Sequence, residues 1–139
     1  VKPFWDDQIA AWVDDRLPHA GPFTNNRAMG VEHKGETVAG FVFHNWDPRT
    51  GIIEVSGASE NPRWATRAVV REAMSYVFDT CGCQMLFARQ HFDNLPARRG
   101  WLHLGATETV VPRLFGRGTV GTILWLTDDQ WLSSKIARS

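Results

Sequence analysis

Trp5, Ile9, Trp12 and Val13 recur at helical spacing, with Asp6, Asp7, Asp14 and Asp15 between them. This pattern predicts an amphipathic helix from Pro3 to Arg16, ended by Pro18. A Gly-, Pro- and Asn-rich loop follows from His19 to Asn26. Three strands come next: Arg27 to His33, Thr37 to Trp46 and Ile52 to Ser56. Lys34-Gly35-Glu36 turns the chain between the first two. Asp47-Pro48-Arg49-Thr50-Gly51 turns it between the second and third, where Pro presets φ and Gly accepts a positive φ. Tight turns between successive strands predict an antiparallel meander.

Asn61-Pro62 then signals a helix start. Ala65, Ala68, Val69, Ala73, Tyr76 and Val77 form an apolar stripe that carries the helix to about Asp79, with Gly82 as its stop. Cys83 to Gln90 is apolar and strand-like. Asp93 or Asn94 caps a short helix with Pro96 in its first turn, ending at Leu104-Gly105. Thr107 to Val111 and Gly121 to Thr127 are strands flanking the loop from Pro112 to Gly118. Asp128 starts a C-terminal helix bearing Trp131 and Ile136. Passage through the middle helix demands a right-handed parallel crossover in an otherwise antiparallel sheet. The expected fold is therefore a mixed-sheet α/β domain spanning residues 1–139, with no internal repeat.

Composition adds little to this picture and excludes some classes. Hydrophobic residues make up 43% of the 139, which suits one domain with one core. Lys+Arg and Asp+Glu number 15 each, so overall charge lends no support to nucleic-acid or membrane-surface binding. No apolar run approaches the roughly 18 residues of a membrane span, and no secretory signal is visible. Cys81 and Cys83 stand at a spacing that strains a disulfide and have no His/Cys partners at zinc-finger spacing. They read as reduced thiols near a buried strand, which suggests the cytoplasm. No metal site is expected.

Three local patterns resemble the GNAT acetyltransferase family and together cover residues 37–131. The stretch Asn61-Pro62-Arg63-Trp64-Ala65-Thr66-Arg67-Ala68 resembles the family's Arg/Gln-x-x-Gly-x-Gly/Ala acetyl-CoA motif. Arg63 and Ala68 match, and Thr66 replaces the central Gly. Asn94-Leu95-Pro96-Ala97-Arg98-Arg99-Gly100-Trp101-Leu102-His103-Leu104-Gly105-Ala106 resembles the helix that lies beside the CoA arm, with Asn94, Ala97 and Gly105 in register. Trp101 falls on the tyrosine that commonly protonates the CoA thiolate. The ending Leu126-Thr127-Asp128-Asp129-Gln130-Trp131 looks like that of the ribosomal-protein N-acetyltransferase branch. The texture of the chain is also similar to short GNAT-like proteins of phages. The family's first strand is not visible ahead of the N-terminal helix.

The resemblance implies a GNAT-like acyl-CoA fold binding acetyl-CoA or another acyl-CoA. Val55, Gly57, Arg63, Trp64, Ala65, Thr66, Arg67, Ala68, Asn94, Ala97 and Trp101 are its candidate contacts. A helix N-terminus offers free N–H groups and partial positive charge to a pyrophosphate, and Arg63 and Arg67 add formal charge. Backbone N–H groups around Val55 to Gly57 would bind the thioester oxygen, with Gly57 permitting a bulge that frees them. Glu54 is the first candidate base and His44 the second; each also fits an ordinary strand position. The implied partner is an amine of a small molecule, a protein N-terminus or a lysine, and a homodimer is compatible with it. Trp5, Trp12 and Trp46 fit either a core or an acceptor pocket. Trp101 and Thr66 keep a second reading open, a non-catalytic CoA-binding or virion-associated module. The Arg113/Arg117 loop and Arg98-Arg99 leave a third, a nucleic-acid-modifying acyltransferase.

Overall fold

The computed structural model describes residues 1–17, 23 and 25–139. Pro18 and most of the loop expected from His19 to Asn26 lie outside the described residues.

The meander and the crossover both form. β1 (Lys2–Trp5), β2 (Arg27–His33), β3 (Glu36–Asp47) and β4 (Ile52–Ser59) pair antiparallel in that order. Helix α2 (Arg67–Ser75), extended by one π-helical turn at Tyr76–Thr80, carries the chain to β5 (Met85–His91), which runs parallel to β4. Helix α3 (Leu95–His103) leads to β6 (Thr107–Val111), and β7 (Gly121–Thr127) inserts between β5 and β6. The result is one 7-stranded sheet in the order β1-β2-β3-β4-β5-β7-β6. α4 (Asp128–Leu132) and α5 (Lys135–Arg138) close the chain, α4 starting in a capping box formed by Thr127 and Gln130.

The N-terminus departs from the expected helix. Lys2–Trp5 is an edge strand, and α1 runs only from Ile9 to Arg16. Alternation decides it: Trp5 turns to the α2 side, where its ring lies 5.9 Å from Phe43 and 4.8 Å from Tyr76. Pro3 is tolerated because β1 has only one neighbouring strand among the described residues. The strand missing from the sequence reading is therefore present.

α1 covers one face of the sheet through Ile9, Val13, Ala28 and Val42. It sits close because β3 presents Gly40, where a Cβ would lie 2.8–3.0 Å from Ile9, Val13 and Trp12. The other face carries the main core, including Met29, Phe43, Ile53, Leu86 and Leu126, beneath α2. The buried stripe of α2 is Val69, Val70, Met74 and Val77. Ala65 and Ala68 are exposed, because the helix begins at Arg67 rather than at the Asn61-Pro62 signal. That signal instead starts a separate 3-10 turn, Pro62–Trp64, with Asn61 accepting from the Arg63 N–H.

Candidate active site

β4 and β5 meet along only three register pairs, Ile52–Met85, Ile53–Leu86 and Glu54–Phe87. Beyond Glu54 the strands part: β4 continues to Ser59 and β5 to His91 without pairing. A wedge thus opens in the middle of the sheet with Glu54 at its apex. Backbone groups of Val55 to Ser59 that point toward β5 pair with no strand among the described residues.

On the α1 face of this apex lies a buried polar group. Antiparallel pairing sets His44 directly opposite Glu54 and Val42 opposite Ser56. His44 is 5% exposed and Glu54 3%. Both Glu54 oxygens are engaged: Asn45 Nδ2 donates to Oε1 at 2.9 Å, and Arg89 Nε donates to Oε2 at 2.8 Å. Arg89 reaches from β5, so this ion pair bridges the strands just where their backbone pairing ends. Nε2 of His44 lies 2.9 Å from Ser56 Oγ, and the ring packs edge-on against Phe23. Burial holds the imidazole below its ordinary 6.5; Glu54 opposes that shift and Arg89 adds to it.

The bulge expected at Gly57 is elsewhere. Gly57 stays in regular register with Phe41, whose ring covers it; a Cβ there would lie 2.4 Å from Phe41 Cδ1. The register shift falls on β3 between His44 and Asp47, where Asn45 adopts φ 55°. Asn tolerates that left-handed conformation, and the shift aims both Asn45 and His44 at Glu54.

The candidate cofactor residues from Val55 to Ala68 lie along β4 and its passage into α2, whereas Asn94, Ala97 and Trp101 lie on α3 and its N-cap. Thr66 is the α2 N-cap, and its hydroxyl accepts from the Val69 N–H at 3.3 Å. This accounts for a Thr where a Gly was expected, and it leaves the first amides, Arg67 and Ala68, without intrahelical acceptors. Arg63 and Arg67 are exposed and form no ion pair among the described residues. Trp64 turns inward against Phe41, with ring centroids 4.7 Å apart.

Asn94 caps α3, accepting from the Ala97 N–H, so its carbonyl oxygen is occupied. Trp101 packs against the main core. Arg98 donates twice to Glu108, at 2.8 and 3.0 Å, and once to the Phe92 carbonyl. It therefore fastens α3 to β6, and Arg98-Arg99 is no open basic patch. The three tryptophans do not converge: Trp5 joins the main core, Trp12 packs in the α1 layer, and Trp46 is exposed. Cys81 and Cys83 are free thiols, and burial pushes Cys83 up to about 11. No group of side chains suited to a metal ion occurs among the described residues, and no helix among them is long and apolar enough to cross a membrane.

Strand alternation puts Ser56 on the face of Glu54, as found, whereas reading the sequence missed Asn45 and Arg89 as members of the apex. Asn45 and Arg89 are polar residues near the ends of strands whose preceding stretches, Ala39 to Phe43 and Met85 to Ala88, are apolar, a signal that was available.

A mixed sheet split between parallel central strands, with a helix starting from the fourth strand, is the GNAT acetyltransferase fold. A spermidine N-acetyltransferase, SpeG, from Vibrio cholerae superimposes with a TM-score of 0.75 at 10% identity, covering 96% of this chain and 98% of that one. Mycobacterium smegmatis RimJ in complex with CoA-disulfide gives a TM-score of 0.68 at 16% identity over 94% of this chain and 64% of RimJ. No protein-family model and no curated protein matches the sequence.

Proposed function

We propose that this chain is an acyl-CoA-dependent N-acetyltransferase that moves an acetyl group to an amine of a small molecule or a protein. The observation that carries the proposal is the wedge between β4 and β5, with a buried histidine at its apex and, where β4 passes into α2, Arg63 and Arg67, which form no ion pair among the described residues. Acetyl-CoA supplies an activated thioester. Arg63, Arg67 and the first α2 amides suit its pyrophosphate, and the unpaired edge of β4 at Val55 to Gly57 suits its carbonyl oxygen.

His44 is the proton acceptor for the attacking amine. Burial keeps it unprotonated near neutral pH, as a base must be. Glu54, with both oxygens tied down, acts as a fixed negative charge that favours the imidazolium once formed. Trp101 offers no hydroxyl for the departing sulfur; a CoA thiol, with pKa near 8.5, leaves as thiolate and recovers its proton from water. The free thiols fit a reducing compartment such as the cytoplasm. The missing hydroxyl at Trp101 also favours one alternative, a CoA-binding module without turnover, such as a phage structural protein.

Calorimetric titration with acetyl-CoA tests the proposal. The expected result is saturable binding that weakens about tenfold in Arg63→Ala, as for the loss of one charge-assisted contact. No binding would sink the cofactor site; binding without CoA release across an amine panel would select the non-catalytic module.

A further inference from the structure

We propose that Ser56 is the relay through which the acceptor amine hands its proton to His44. This inference rests on the acyltransfer reading above and deepens it. His44 is only 5% exposed, with Phe23 packed against its ring and Glu54 opposite it on β4. An amine seated in the wedge cannot touch the imidazole. The one hydrogen bond that Nε2 makes among the described residues is to Ser56 Oγ, at 2.9 Å. Ser56 is half-buried, and it is the first α1-face residue of β4 beyond the last pair shared with β5. Its hydroxyl thus has one side on the base and the other at the opening where the thioester carbon would lie.

The step balances without a further reagent. The amine nitrogen bonds to the thioester carbon and the carbon–sulfur bond breaks, the electron pair leaving on sulfur. The amine proton passes to Ser56 Oγ while the Ser56 proton passes to His44 Nε2, so the hydroxyl is regenerated and the imidazolium formed. The charged groups bearing on that imidazolium are Glu54 from β4, which favours it, and Arg89 from β5, which opposes it. Between turnovers the imidazolium returns its proton to water by the same path. The relay requires Nδ1 to carry the resting proton, so that Nε2 accepts from Ser56.

Two measurements test it. In steady-state assays with acetyl-CoA and a panel of a diamine and a peptide with a free N-terminus, Ser56→Ala is expected to lower kcat roughly 10–100-fold. That lies at or below the bottom of the roughly 10²–10⁴-fold range for positioned proton transfer. KM for acetyl-CoA should be unchanged, and the acid limb that His44 gives kcat should vanish. Ser56→Thr, which keeps a hydroxyl, should restore both. Unchanged kcat and an unchanged acid limb in Ser56→Ala would overturn the relay while leaving acyl transfer intact. The second measurement needs no turnover: nitrogen NMR of His44 in the wild-type protein is expected to show the Nδ1–H tautomer, and Ser56→Ala to shift its resonances. An Nε2–H tautomer would overturn the relay by itself. Absence of CoA release from the wild type would overturn the acyltransfer reading and the relay with it. The tautomer then tells whether the Ser56–His44 geometry failed too.

Discussion

His44→Gln will lower kcat by roughly 10²–10⁴-fold, the contribution of a positioned acid or base, and leave acetyl-CoA affinity unchanged. The ring lies on the α1 face of the wedge apex, away from the Arg63 and Arg67 end of β4, so removing it touches the proposed chemistry and not the proposed cofactor site. Gln keeps a polar group within reach of Ser56 but cannot take a proton. The pH dependence follows from the direction of the shift. The folded imidazole titrates below the 6.5 of a free one, so turnover should stay on its plateau at pH 6.5 and fall only in more acid solution. Glu54→Gln removes the charge that opposes the shift, so the acid limb should move lower still. Stability carries the same sign. Below 6.5 the unfolded chain takes up a proton that the folded one resists. The contribution from His44 is therefore complete above that value and is lost as pH falls toward the folded one. Urea melts of the wild type should show this acid loss, and melts of His44→Gln should lack it. Equal turnover in wild type and His44→Gln would remove His44 from the mechanism.

That apex shows what a single sequence can and cannot tell. Glu54 and His44 both stand out in apolar strands, and turn chemistry places them on adjacent antiparallel strands. Their meeting depends on one extra residue. With Asp47 opposite Ile52, regular counting puts His44 opposite Val55 and so on the α2 face. The irregularity at Asn45 and Trp46 moves it opposite Glu54, turns it to the α1 face and brings it to Ser56. Nothing in the Asn45-Trp46 pair announces a bulge. The N-terminus failed for a different reason. Trp5, Ile9, Trp12 and Val13 satisfy a helical period, but Trp5 owes its burial to Phe43 and Tyr76, partners distant in sequence. Where local signals are strong, as at the Asp47–Gly51 turn, the Thr107–Val111 and Gly121–Thr127 strands and the Asn94 cap, sequence and structure agree. Thr66 is instructive: set against a motif it is a departure, and set against a helix end it is an N-cap.

Leu86→Ala should cost about 2–5 kcal/mol of stability, the usual range for a buried Leu whose site cannot collapse. Leu86 is fully buried on the α2 face, paired with Ile53 on β4 and Leu126 on β7. It occupies the middle of the three pairs that join the β1–β4 half of the sheet to the β5–β7 half. Elsewhere in the sheet a cavity would be bridged by longer ladders. Here the ladder is short because the wedge needs it short, and side-chain packing must hold the halves together. A melt should show a drop of roughly 4–20 °C, from about 2–4 °C per kcal/mol for a chain of this size. Leu86→Met, which conserves volume, should lose less than about 1.5 kcal/mol. Val110→Ala, at a side chain 49% exposed on β6, should stay within about 0.5 kcal/mol. Because the cavity lies one residue from Glu54 and Phe87, Leu86→Ala should also loosen the Arg89–Glu54 bridge. It should then lose kcat at temperatures where it is still folded, whereas Leu86→Met should not. If Leu86→Ala keeps full turnover below its melting transition, the three-pair junction is not what sets the geometry of the apex.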